Sequence, residues 1–104
     1  MIPDIDFIQH VIDRANIQED QKTSLTTALH TTGEIPAITS SAQYEAYRQM
    51  EADLRRGLPD RFSPDFGTAF VEWARSPEGV LALTYGEKMT EWEEQQEDES
   101  YDEP

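Results

Sequence analysis

Residues 76–92 read SPEGVLALTYGEKMTEW, and this stretch decides the fold. It opens with Ser76-Pro77-Glu78, a helix-start signal: the serine caps free N–H groups, the proline needs no N–H partner, and the acid meets the positive end of the helix dipole. The first half of the stretch is apolar on nearly every side. The second half narrows to Tyr85, Met89 and Trp92. The pattern predicts a long helix, buried at first and superficial later.

Similar start and end signals mark other helices earlier in the chain. Ser63-Pro64-Asp65 repeats the Ser-Pro-acid signal, and Asn16-Ile17-Gln18-Glu19 and Ser40-Ser41-Ala42-Gln43 both fit the capping-box pattern. Gly33 and Gly57 each follow a periodic segment, which predicts left-handed residues at two helix ends.

Apolar residues between these signals recur at helical spacing. One predicted core-facing stripe is Ile5, Ile8, Val11, Ile12 and Ala15, and another is Phe66, Ala69, Phe70 and Trp73. No run alternates like a strand between turn residues. The sequence therefore predicts an all-α, single-domain bundle of about five helices over residues 1–92.

The charge is concentrated at the C-terminal end. The net charge is −14 on 104 residues, and the last 18 residues hold nine carboxylates against one base, Lys88. We expect residues 93–104 to form an acidic tail that is disordered when free, because it cannot bury enough apolar area to offset its ordering entropy. Such a strip repels phosphate backbones and attracts basic protein surfaces. Adaptation to high salt would produce a similar acid excess, and this alternative stays open.

Enzymatic chemistry has little support in the sequence. The chain has no cysteine, no Gly-rich phosphate loop and no His-Glu-x-x-His motif. Asp6, His10 and Asp13 share one helical surface, but a solvated helix face explains them without catalysis. His30 suits the negative end of a helix dipole. We therefore expect a non-enzyme with no catalytic residue, no metal site and no cofactor.

Four arginines form a local basic cluster in an otherwise acidic chain: Arg48, Arg55, Arg56 and Arg61. Direct nucleic-acid binding is one interpretation, but the overall charge opposes it. A second interpretation is that the cluster pairs internally with the acidic tail.

The localisation follows from hydropathy. The longest apolar run, Val80 to Leu83, is far shorter than the roughly 20 residues that span a bilayer, and the N-terminus lacks a leader pattern. We expect a cytoplasmic protein.

The predicted function is binding to a basic, nucleic-acid-binding surface of a partner protein, as a nucleic-acid mimic. The chain is similar in size and charge to small acidic inhibitors of phages and mobile elements, including anti-CRISPR and anti-restriction proteins, although the similarity covers no motif. The alternative is a non-enzymatic viral assembly or regulatory adaptor that docks through its helical body. Trp92 is either an interface anchor or packs with Met89 against Trp73. The predicted partner-binding residues are Glu87, Glu91, Trp92, Glu93, Glu94, Glu97, Asp98, Glu99, Tyr101, Asp102 and Glu103.

Overall fold

Five helices account for most of the chain. The structure is a computed structural model that describes the backbone of residues 4–101 and the side chains of residues 4–96. No strand occurs within those residues, which confirms the all-α prediction. The helices are α1 (Ile5–Arg14), α2 (Glu19–Thr32), α3 (Ser41–Arg55), α4 (Phe66–Arg75) and α5 (Pro77–Tyr101).

Two of the predicted helix starts are confirmed by their capping bonds. The Ser40 hydroxyl accepts a hydrogen bond from the N–H of Gln43 (3.2 Å), and Ser76 does the same for Gly79 (3.2 Å). The side chain of Gln43 reaches back as the capping box requires, but its oxygen accepts from the N–H of Thr39 (2.9 Å). These interactions are local, so the residue types alone identify them.

The other two predicted starts are displaced. The structure begins α2 at Glu19, after Gln18, with no side-chain cap, so the Asn16 prediction is wrong. Residues 15–18 instead link α1 to α2, and Ile17 packs against the core from this link. Ser63 precedes α4 by three residues because its backbone supports a turn: its N–H donates to the carbonyl of Asp60 (2.8 Å).

One of the two predicted left-handed glycines is confirmed, and the other is not. Gly33 ends α2 in the left-handed region (φ 75°), and its N–H donates to the carbonyl of Leu29 (2.8 Å), as predicted. Gly57 is not left-handed, so that prediction is wrong. The chain leaves α3 through Arg56 in helical conformation, and the N–H of Leu58 continues the turn by donating to the carbonyl of Arg55 (3.0 Å).

The centre of the core is the antiparallel pair of α3 and α5. Tyr47 and Tyr85 lie at the middle of this pair with ring centroids 4.9 Å apart, and both are buried. The α1–α2 pair closes the core from the other side. The buried apolar side chains are Ile8, Ile12, Ala15, Leu25, Leu29, Ile38, Ala46, Tyr47, Met50, Leu81, Ala82, Tyr85 and Met89.

Helix α4 departs from its prediction. None of its residues is buried, and its apolar stripe lies outside the cluster that forms the main core. The helix packs against the start of α5 at Gly79, and the indole N–H of Trp73 donates to the carbonyl of Leu54 near the end of α3 (3.1 Å). The stripe of Phe66, Ala69, Phe70 and Trp73 is therefore only partly covered.

The backbone of α5 is helical across the predicted boundary at residue 93. At 1.5 Å per residue its 25 residues extend about 37 Å. The expected disorder of residues 93–104 in the free protein stays a prediction. Asp102 and Glu103, both predicted to bind a partner, lie outside the described residues.

Candidate functional site

Three of the predicted acidic residues share one side of α5. Glu87, Glu91 and Glu94 are spaced by four and three residues, which places their side chains next to one another on a helix, and all three are exposed. We refer to these three residues as the acidic face. The acidic face forms one wall of a shallow groove of about 670 Å³ between α3 and α5, and Arg48 and Arg55 lie on the opposite wall.

Glu93 has a different role from its neighbours. Its carboxylate accepts a hydrogen bond from the hydroxyl of Tyr44, near the start of α3. This hydrogen bond to a carboxylate is the main cause that raises the pKa of Tyr44, and desolvation is the second. Glu93 therefore ties the late turns of α5 to the body.

Trp92 is a packing residue for much of its surface. It is half-buried and packs against the main core. The prediction that it contacts Trp73 is wrong: Gly79 approaches the backbone of Trp73, and Trp92 lies about 20 Å further along α5. The side chains of Glu97, Asp98, Glu99 and Tyr101 lie outside the described residues.

The two arginines of α3 and Arg56, which follows it, form ion pairs with acids of α3. Arg48 lies 3.8 Å from Glu45, Arg55 lies 3.7 Å from Glu51, and the closest pair joins Arg56 to Asp53 at 3.0 Å. Among the side chains of residues 4–96, no ion pair joins an arginine to the acidic face. Because α3 and α5 are antiparallel, Arg56 lies at the opposite end of the body from the C-terminal turns of α5, whereas Arg48 and Arg55 line the groove beside the acidic face. Most carboxylates of residues 93–104 lie outside the described side chains, so the internal pairing of the tail with the arginine cluster stays a prediction.

No family model, curated protein or solved structure matches this chain. The helices between residues 4 and 101 also include none with the length and apolarity needed to cross a membrane.

The hydrogen bonds of His10 and Asp13 lead to different neighbours. The Nε2 atom of His10 lies 3.3 Å from an Arg14 guanidinium nitrogen, whereas Asp13 accepts a hydrogen bond from Gln9 (2.9 Å). The other side of the Gln9 amide meets His30, with 3.0 Å between Oε1 and Nε2. Gln9 thus organises a polar contact between α1 and α2, and both histidines have structural neighbours.

A shallow depression of about 420 Å³ adjoins His10. Its charged lining consists of His10, Arg14, Asp53, Arg56 and Glu78, and Arg56 and Asp53 already form the 3.0 Å ion pair. A catalytic histidine needs a nucleophile, bound water or second acid–base group aimed at the same point. Within residues 4–96, the hydrogen bonds of His10 supply only Arg14. The same residues contain no grouping of three acidic or histidine side chains able to hold a metal ion.

A second exposed surface was missed from the sequence because two of its residues, Phe66 and Phe70, were assigned to the core. Phe62 is 86% exposed in the turn before α4, and Val71 on α4 is 49% exposed. Phe66 and Phe70 on α4 are half-buried, with ring centroids 5.8 Å apart. We call these four residues, with Arg61, the aromatic end. The available signal was Phe62 itself, which precedes the stripe and has no place in it.

Proposed function

We propose that the protein binds a basic, nucleic-acid-binding surface of a partner protein through the acidic face and the adjoining C-terminal turns of α5. The observation that carries the proposal is the unbroken course of α5 through its acidic segment. A continuous helix holds carboxylates at fixed spacing, whereas a coil would have to be ordered on binding at an entropic cost. Glu87, Glu91 and Glu94 are also exposed and lack arginine partners among the described side chains.

The charge density of this helix supports mimicry of nucleic acid. Residues 87–101 contain seven carboxylates and one lysine, a net charge of −6, over 14 helical steps. At 1.5 Å per step this is about 21 Å, or one net charge per about 3.5 Å. One strand of duplex DNA carries one charge per about 3.4 Å. A partner groove lined with arginine and lysine would therefore meet a similar linear charge density.

The test is affinity capture from the source cell with two baits, the wild-type protein and a variant that neutralises the acidic face. The variant replaces Glu87, Glu91 and Glu94 with glutamine and retains Glu93 and Trp92, which contact the body. We expect the wild type to retain a basic nucleic-acid-binding protein at low salt and the variant to lose most of it. Added duplex DNA or RNA should displace the partner from the wild type.

A matched control separates local charge from net charge. Replacing Asp6 with asparagine and Glu19 and Glu34 with glutamine also removes three exposed carboxylates, but from other parts of the body. This control should retain the partner as the wild type does. Equal retention by all three baits, or a partner that nucleic acid does not displace, would contradict the proposal.

The second candidate function is an adaptor that docks through its helical body. The exposed aromatic end favours it, because isolated large apolar side chains are common on surfaces but clusters of them mark interaction sites. In that case the acidic-face variant should remain active, and replacement of Phe62 with serine should abolish partner retention.

The proposal includes a non-enzymatic role in the cytoplasm. The chain has no cysteine, so its fold does not depend on disulfide bonds, which the reducing cytoplasm would break. Replacing His10 or His30 with glutamine should leave partner binding unchanged. A folded histidine variant that loses function would argue for chemistry instead.

A further inference from the structure

Two tyrosines lie side by side at the centre of the core, but their hydroxyl groups differ in hydrogen bonding. The hydroxyl of Tyr47 donates to the carbonyl of Pro36 (2.6 Å) and accepts from the side-chain amide of Gln43 (3.4 Å). Tyr85 is 1% exposed, and its hydroxyl makes no hydrogen bond to residues 4–96. A buried hydroxyl without a partner destabilises a fold, whereas a phenylalanine at the same position would bury no polar group.

The Tyr85 hydroxyl is not completely enclosed. All fully enclosed polar side-chain atoms of residues 4–96 have hydrogen-bond partners, so an oxygen without one must be accessible. The exposed 1% of Tyr85 therefore includes its hydroxyl oxygen. Burial raises the pKa of Tyr85, so the hydroxyl keeps its proton at neutral pH and can donate a hydrogen bond.

A small cavity adjoins the two tyrosines, between the α1–α2 pair and the α3–α5 pair. Apart from Tyr47, Tyr85 and Pro36, its lining consists of isoleucine and leucine residues of α1 and α2 and of Ile35. Its volume is about 10 Å³. About 10–15 Å³ is the least that holds one water molecule, whereas pockets for organic ligands measure about 300 Å³ or more. The size of the cavity therefore allows one water molecule and no organic ligand.

The polar groups of the residues around this cavity match the needs of one water molecule. Tyr85 offers a hydroxyl donor, the Pro36 carbonyl has a second lone pair beside the one that accepts from Tyr47, and the Tyr47 hydroxyl has a second lone pair beside the one that accepts from Gln43. A buried water typically makes about three hydrogen bonds. One donor and two acceptors are the partners that a water accepting one bond and donating two requires.

We propose that this cavity is the binding site of one water molecule. The water accepts a hydrogen bond from the Tyr85 hydroxyl and donates to the Pro36 carbonyl and the Tyr47 hydroxyl. It thereby connects α5 with α3 and with the link between α2 and α3, at the centre of the fold. This inference does not depend on the proposed partner, because no residue of the acidic face lines the cavity.

The first test counts the bound water directly. Oxygen-17 relaxation dispersion of the full chain detects water molecules that stay inside a protein for longer than the protein takes to tumble. Tyr85→Phe should hold one such water fewer than the wild type. Tyr44→Phe is the matched control, because the Tyr44 hydroxyl lies at the surface and already bonds to Glu93, and it should leave the count unchanged. Equal counts for the wild type and Tyr85→Phe would overturn the inference.

The second test is the direction in which Tyr85→Phe changes stability. If a water satisfies the hydroxyl, the substitution removes a hydrogen bond and should lower the folding equilibrium constant about three- to tenfold. If the hydroxyl has no partner, the same substitution should leave that constant unchanged or raise it. Urea denaturation measures the constant, and circular dichroism verifies that the variant, which keeps the ring, also keeps the helical fold. An unchanged or higher constant would contradict the proposed site, as would a high-resolution crystal structure in which Tyr85 bonds directly to the carbonyl of Pro36.

Discussion

Gly79 is the position where packing and intrinsic helix preference predict opposite effects. Gly67 and Gly79 both lie in the first turn of a helix, so preference alone predicts that alanine at either site stabilises the protein by up to about 1 kcal/mol. Nothing lies within 4 Å of a Cβ atom at Gly67. A Cβ atom at Gly79 would lie 1.8 Å from the carbonyl oxygen of Trp73.

The cost of Gly79→Ala can be worked out from the neighbouring contacts. Side-chain carbons essentially never come within 3.0 Å of another heavy atom, so the Trp73 carbonyl would have to move by the difference from 1.8 Å, or 1.2 Å. That oxygen accepts hydrogen bonds from the N–H (3.0 Å) and hydroxyl (2.6 Å) of Ser76. Losing them costs about 1 kcal/mol each, and overpacking adds about 1–3 kcal/mol. After the gain in helix preference, we expect Gly79→Ala to destabilise by about 2–4 kcal/mol.

Urea denaturation followed by circular dichroism measures both variants. Gly67→Ala should raise the free energy of unfolding by about 0.5–1 kcal/mol, and Gly79→Ala should lower it, with similar dependence on urea. If Gly79→Ala is as stable as the wild type, α4 does not approach α5 as closely as described. The position of the aromatic end would then need revision.

Three other perturbations test the packing. Burial raises the pKa of Tyr47 to about 12 and also raises the pKa of Tyr85. The free energy of unfolding should therefore be at its full value below pH 10 and fall as the pH rises toward 12, by about 2–3 kcal/mol for Tyr47. Thermal melts that do not change between pH 9 and 12 would contradict this. Tyr44→Phe removes a hydrogen bond to α5, so amide hydrogen exchange at residues 91–96 should accelerate while global stability changes by less than about 1 kcal/mol; unaltered exchange would show that the bond does not hold the helix. Gly33→Ala should destabilise by about 1–2 kcal/mol because φ is 75°, whereas Gly57→Ala, at an open position without positive φ, should not; urea midpoints compare the two.

Capping patterns in the sequence predicted two helix starts correctly and two incorrectly. Ser40 and Ser76 cap helices because their hydroxyls lie within reach of N–H groups three residues on. Asn16 and Ser63 begin the same two sequence patterns, but there the chain turns between helices. Side chains that cap helices also suit turns, so the distinction depends on packing beyond the local sequence.

Burial was less predictable than helix content. The apolar stripe of α3 is modest in the sequence, with Tyr47, Met50 and Leu54, yet Tyr47 and Met50 are 0% exposed, because α3 lies between α5 and the α1–α2 pair. The stripe of α4 is stronger, with Phe70 and Trp73, but only one end of α5 is available to cover it. Periodicity identifies which side of a helix is apolar, and the arrangement of helices decides how much of that side is covered.

The candidate surfaces were predictable only where they depend on spacing within one helix. The spacing of Glu87, Glu91 and Glu94 places them on one side of any helix, so the sequence alone identifies the acidic face. The hydrogen bond between Tyr44 and Glu93 joins residues 49 positions apart and depends on how α3 and α5 align. No local pattern could have found it.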